Sequence, residues 1–380
     1  MRRLVILVSA IVFLDTLLFG ALIPLLPGYA DEFGLTKLAT GALLGAYGAG
    51  AILGGVPGGI MAGRVGPKRA VIAGLVLLAL ASFAFALAGS PLALGSARFV
   101  QGFSSALTWA GALSWLTIST PRARRGQLIG TVVAVAVLGA IFGPIVGALA
   151  TLAGIRGTFI AVGVVALVLA GLSVLEHRPT TQRLEAGAIR RALRDHAFVA
   201  GLWLALLPAA LFGVIDVLIP LALDVGGYGA VAIATVFFVA GLMEMAVNPV
   251  LGRISDRRGR LLPIRWALAA SIVVGILLAF AQAPLVIAGL GVVAAVSFGA
   301  MYTPAIALVS DRAEHAGLAQ GLAFGVMNSV WALGALTGPT VGGALADTVG
   351  DTGPYLLCSL LCAATLVAIS FRVRPRKGVL

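Results

Sequence analysis

Apolar runs of about twenty residues recur twelve times along this chain, near 4–27, 38–62, 70–89, 93–118, 127–152 and 157–176, and again near 198–222, 228–251, 262–281, 284–309, 317–345 and 353–371. A helix of that length covers about 30 Å, the thickness of a bilayer's hydrocarbon core. Barrel strands are shorter, about ten residues, and alternate in polarity, which these runs do not. Lipid-facing backbone has to satisfy its own hydrogen bonds, so helices are the remaining solution. Charged residues make up 11% of the chain and hydrophobic ones 60%, whereas a water-facing globular surface draws on about 25% charged residues. The expected fold is an all-α polytopic membrane protein of twelve transmembrane helices. The first run extends past Asp15 to Pro27 with no small-residue cleavage site, and is read as a span rather than a signal peptide.

The only long polar stretch is 177–197, and it falls between two sets of six runs. It divides the chain into an N-terminal six-helix half (1–176), a linker (177–197) and a C-terminal six-helix half (198–380). Lys and Arg alternate between the two ends of the spans very unevenly. One side, which includes both termini and the linker, carries 23 of the 26 basic residues, and the other has only Lys37 and Arg156. The positive-inside rule then places both termini and the linker in the cytoplasm. The net charge of +12 follows from this bias and from attraction to anionic lipid. Nucleic-acid binding would need a soluble basic face with groove-reading elements, and none is present.

The two halves are related. Gly130, Gly139, Gly143, Pro144 and Gly147 of span 5 recur as Gly325, Gly334, Gly338, Pro339 and Gly342 of span 11, each at an offset of 195. Gly59, Arg64 and Gly66 map onto Gly252, Arg257 and Gly259 at an offset of 193. Parallel pseudo-symmetric halves with a site near the midplane are a transporter architecture. Gly and Pro at these span 5 and span 11 positions suit tight helix packing and bending.

These residues carry a resemblance to the major facilitator superfamily, and within it to the twelve-helix drug:proton antiporters, which include tetracycline and multidrug exporters and vesicular amine transporters. Leu18–Pro27 resembles that group's helix 1 signature and Leu94–Gly102 its helix 4 signature. Gly130–Gly147 resembles the helix 5 motif typical of antiporters, with Ala148 in place of its final glycine. The loop motif Gly252-Arg253-Ile254-Ser255-Asp256-Arg257-Arg258-Gly259-Arg260 fits cleanly, whereas its first-half counterpart Gly59–Lys68 has Gly63 where the family has aspartate. The resemblance implies a central cavity lined by helices 1, 4, 7 and 10. It also implies cytoplasmic gating loops built on Gly59, Arg64, Gly66, Gly252, Asp256, Arg257, Gly259 and Arg260. Asp256 would latch onto the positive N-terminal end of helix 5, and Gly63 cannot make the equivalent bond to helix 11.

Ionisable side chains inside spans are costly and point to function. Four occur: Asp15, Arg98, Asp216 and Glu244. Arg98, Gln101 and Ser105 share one helical face of span 4, and Gly241, Glu244 and Asn248 one face of span 8. Asp15 reads either as a proton or cation carrier or as a structural partner of Arg98. Asp216 reads as a coupling acid or as a hydrated group near the outer mouth, and Glu244 as a coupling acid or a snorkelling one. Tyr302 and Asn328 join the candidate cavity residues. For these two and for Trp109, Trp115 and Trp331, packing or interfacial anchoring is the favoured reading beside a cavity role. Cys358 and Cys362 read as packing residues, and no metal cluster or cofactor motif is present.

The expected function is secondary active export of a small lipophilic molecule by alternating access, coupled to proton entry. A facilitator or a proton symporter importing a metabolite has equal use for embedded acids. A receptor or scaffold that transports nothing is the reading of another class. An enzyme would need a nucleophile or metal constellation, and ATP drive a phosphate-binding loop; neither appears. The expected partners are a small-molecule substrate, protons and the bilayer, without nucleic acid or nucleotide. The expected state is a monomer in the plasma (inner) membrane of a bacterial cell.

Overall fold

The computed structural model describes residues 2–176, 188–259, 261–316, 318 and 320–372. Among these every regular element is helical, and they form twelve successive spans. The first six are α1 (Arg2–Ala21), α2 (Lys37–Ile60), α3 (Pro67–Ala86), α4 (Pro91–Ser119), α5 (Arg122–Ala153) and α6 (Ile155–Leu175). After a short helix at Ala188–Ala192 come α7 (His196–Val225), α8 (Ala230–Arg258), α9 (Leu261–Phe280), α10 (Pro284–Gly299 and Tyr302–His315), α11 (Gln320–Val349) and α12 (Thr352–Arg372). Ten helical stretches among the described residues are long and apolar enough to cross a membrane. The two spans outside these ten are α4 and α11, and α4 carries the buried polar stripe Arg98, Gln101, Ser104, Ser105 and Thr108.

Two spans depart from the expected single helices. The first does not stop at Pro27. A 3-10 turn at Ile23–Leu25 leads into a second helix, Leu26–Phe33, which ends on Gly34 in the left-handed region. Pro24 and Pro27 each occupy the first turn of their segment, where a missing N–H costs nothing. Span 10 breaks at residues 300–301, and its second segment starts at Tyr302. Pro304 has no N–H to offer the Ala300 carbonyl, which favours the break. Gly66 and Gly259, at the predicted offset of 193, both end their spans at positive φ, 112° and 89°, a conformation that a side chain disfavours.

The internal repeat reappears as packing. On α5, a Cβ at Gly139, Gly143 or Gly147 would run into the carbonyls of Phe13, Leu17 and Ala21 of α1. On α11, Gly334, Gly338 and Gly342 stand likewise against Leu206, Ala210 and Val214 of α7. These partners are themselves 193 residues apart, pair by pair. Pro144 lies against Gly20 and Pro339 against Gly213, again 193 apart. With no hydrophobic force between helices in lipid, such backbone-level approach supplies the packing.

The halves meet along α2–α11 and α5–α8. A Cβ at Gly41 would lie 2.1 Å from the Pro339 carbonyl oxygen, and one at Gly343 2.2 Å from that of Lys37. Gly45 and Gly48 pack on Leu336 and Ala332. Towards the arginine-rich face the last glycine to meet the other half is Gly55, against Ser329; Gly59 and Gly325, about one turn further, meet nothing within 4 Å. The molecule is closed at the opposite face and parts towards the arginine-rich one. At the closed face Asp347 accepts from the Lys37 N–H (3.0 Å) and the Leu38 N–H (2.8 Å), and Lys37 pairs with Asp351.

Candidate functional site

Asp15 projects from the middle of α1 towards α2 and α4, and is 2% exposed. Ser105 and Trp109, one turn apart on α4, both donate to its Oδ2, at 2.7 and 2.8 Å. Tyr47 of α2 reaches the same oxygen at 3.5 Å and Ser105 Oγ at 2.7 Å. The single phenolic proton is better spent on the shorter bond, giving a relay from Tyr47 through Ser105 to Asp15. Two glycines bring the helices this close: Gly102 sits on the Tyr47 carbonyl and Gly50 on that of Phe99. Oδ1 of Asp15 takes no hydrogen bond from the described residues.

Arg98 is not Asp15's ion-pair partner; no ion pair joins them among the described residues. Its Nη1 donates to the Leu18 carbonyl (3.1 Å) and to Gln101 Oε1 (2.9 Å), and its Nη2 to the Phe19 carbonyl (3.4 Å). These carbonyls lie in the last turn of α1, where intrahelical donors run out. A cation there satisfies them and complements the helix dipole. The guanidinium also lies 5.1 Å from the Tyr47 ring centroid. Arg98 Nε and Gln101 Nε2 are buried without a partner among the described residues.

A second cluster belongs to the other half. Asp216 of α7 is 7% exposed. Tyr302, the first residue after the break in α10, stacks on Phe212 with centroids 6.2 Å apart, and its hydroxyl accepts from Trp331 Nε1 at 3.1 Å. Glu244 of α8 is half-buried, and its carboxyl fills the space a side chain at Gly299 would need. The two clusters are bridged by aromatic rings. Phe19 of α1 lies 5.1 Å from Tyr47 and 5.4 Å from Trp331 of α11, centroid to centroid.

The structure therefore gathers Asp15, Arg98 and Gln101 on one side of the seam and Asp216, Glu244 and Tyr302 on the other. Asn328 is half-buried on α11 and joins neither hydrogen-bonded group. Trp115 is a core residue, 1% exposed. Tyr47 and Phe19 are additions that the sequence did not single out; the available signal was a lone hydroxyl-bearing ring in the glycine-rich span 2. The residues expected in gating loops lie partly on helices: Gly59 is in the last turn of α2, and Gly252 and Arg257 are in α8; Arg64 and Arg257 are exposed, and Gly252 is loosely packed beside Thr303. The side chain of Asp256, and Arg260 altogether, lie outside the described residues.

Comparison with known proteins gives a consistent family. The model of the Major Facilitator Superfamily matches residues 8–326. The chain is 25% identical to the quinolone resistance protein NorA of Staphylococcus aureus over 94% of both chains. It is 30% identical to a chloramphenicol resistance protein of Streptomyces lividans, over 92% of this chain and 91% of that one. Among solved structures, the nucleoside transporter NupG superposes with a TM-score of 0.74 at 14% identity, covering 98% of this chain and all of its own. The xylose transporter XylE from E. coli, in a partially occluded inward open conformation, gives 0.73 at 17% identity, with both chains covered in full.

Proposed function

The chain belongs to the Major Facilitator Superfamily, and from that membership we propose that it exports a small lipophilic molecule by alternating access, driven by proton entry. The observation that carries this reading is the state of Asp15. A carboxyl in the middle of a membrane-spanning helix must be balanced by hydrogen bonds, a proton or a cation. Here Oδ2 is held by Ser105 and Trp109, with the Tyr47 hydroxyl 3.5 Å away, while Oδ1 takes no hydrogen bond from the described residues, so one oxygen fixes the group and the other is available to a proton or a cationic substrate group.

With the arginine-rich face in the cytoplasm, the conformation described is inward-open. Substrate enters from that side between the aromatic faces of Phe19, Trp331, Tyr302 and Phe212, which suit a lipophilic and planar molecule. Asp216 and Glu244 place further proton-binding groups in the C-terminal half, so protonation on one side of the seam can be exchanged against cargo as the halves rock. The export direction is supported by the resistance proteins among the relatives; the fold shared with nucleoside and xylose transporters carries no direction. Purified protein in liposomes loaded with a pH-sensitive dye provides the test. Adding a lipophilic aromatic cation should release protons, and an imposed inward proton gradient should drive that compound outward. Accumulation of the compound with proton flow in the same direction would establish import instead.

A further inference from the structure

The internal repeat predicts that whatever closes one interface between the halves recurs at the other. On the closed face it does not. At α2–α11 both carboxylate oxygens of Asp347 cap the first N–H groups of α2, those of Lys37 and Leu38, and Lys37 Nζ pairs with Asp351. The offset of 195 takes Asp347 to Leu152, and the offset of 193 takes Lys37 and Leu38 to Ala230 and Val231. Leu152 and Val231 instead line an apolar cleft of about 270 Å³, together with Ile145, Leu149 and Phe238. No side chain caps the start of α8.

We propose that Asp347 is the lock of the gate on this face and that the lock is one-sided: present at α2–α11, missing at α5–α8. Beneath Asp347 the α2–α11 seam is glycine against backbone, at Gly41, Gly45, Gly48 and Gly343. That seam fits closely but has few polar bonds to break. The Lys37–Asp351 pair is more than a third exposed on both sides and therefore contributes little. Asp347 is exposed too, but its carboxylate holds two N–H groups at a helix N-terminus, and this bidentate cap is the stronger element. Parting of the halves on this face requires Asp347 to give up both N–H groups, whereas among the described residues the α5–α8 side loses apolar contacts such as Phe142 with Phe238. This lock involves neither substrate nor coupling proton, so it stands or falls independently of the export reading.

Spin labels at Ala42→Cys on α2 and Val349→Cys on α11, in full-length protein with Cys358 and Cys362 changed to alanine, read the separation directly. Asp347→Ala should raise the ratio of parted to closed molecules by roughly three- to thirtyfold, the range set by loss of a helix cap. Asp347→Asn, which keeps one acceptor and is the milder change for folding, should raise it less. Leu152→Asp supplies the missing counterpart beside the uncapped start of α8, and should lower the ratio by roughly threefold. Distance distributions in Asp347→Ala and Asp347→Asn that match the parent, in monodisperse protein, overturn the lock. An unchanged ratio in Leu152→Asp overturns its one-sidedness.

Discussion

Two donors, Ser105 and Trp109, converge on one oxygen of Asp15, and that imbalance decides what substitution there does. Asp15→Asn keeps the size but presents an amide that can no longer exchange a proton. Gradient-driven transport in proteoliposomes should fall by at least about 100-fold, in the range of losing a proton-transfer group, while the protein still reaches the membrane folded. Ser105→Ala breaks the relay but leaves Trp109, so a smaller loss, about tenfold, is expected. Glu244→Gln and Asp216→Asn test the other half. If all three acid variants pump with an unchanged pH profile, the coupling group lies elsewhere. Asp15 was legible because an acid inside an apolar run is conspicuous. Its partners were less so, since Tyr47 and Ser105 are 32 and 90 residues away and meet it only through helix packing. Arg98 illustrates the same limit: its charge was plain, but its partners are backbone carbonyls of α1, which leave no trace in residue types.

At the scale of elements, glycine divides into two populations that sequence alone treats alike. Gly102 of α4 would set a Cβ 1.8 Å from the Tyr47 carbonyl oxygen, backbone that cannot swing aside. Gly102→Val should therefore cost about 3 kcal/mol or more, of the order seen for severe overpacking, and lower the melting temperature in detergent sharply. Gly59→Ala, in open space, should shift it by no more than a degree or two and gain slightly from helix propensity. The span count and the repeat were readable because apolar length and glycine spacing are written along the chain. The breaks in α1 and α10 were not, because prolines in a first turn and at a helix interior look the same until the turn is located.

For the whole molecule, the uneven placement of Lys and Arg predicts sidedness. Cysteine labelling should find positions 185 and 376 reactive from the cytoplasm and position 32 from outside, and the reverse pattern would invert the topology. Asp347 adds a statement about pH. The slight loss of hydration at this exposed carboxyl would raise its pKa, but the N–H groups of Leu38 and Lys37, the Thr36 hydroxyl and the Lys37 charge together hold it below the usual carboxylate range. A depressed folded-state value means that its contribution is complete above about pH 4 and lost only as pH falls through that lower value. With Lys37 and Asp351 as its charged neighbours, the α2–α11 distance should stay constant from about pH 5.5 to about 8. A distance that tracks pH in that window would mean another group controls the face. On the other side, Gly63→Asp should favour closure of the cytoplasmic end by supplying the aspartate that the first-half loop lacks, and Asp256→Asn should disfavour it; labels on α2 and α11 at that end would read both.

The ring contact between Phe19 and Trp331 has an optical consequence. It joins an indole on α11 to a phenyl on α1. The other four tryptophans make no such crossing: Trp109 and Trp115 sit within the first half, and Trp203 and Trp266 within the second. When the halves part, Trp331 alone exchanges an aromatic neighbour for solvent or cargo. Ultraviolet emission from the unlabelled protein thus contains one chromophore whose colour follows the cycle, and a Trp331→Phe difference spectrum isolates it.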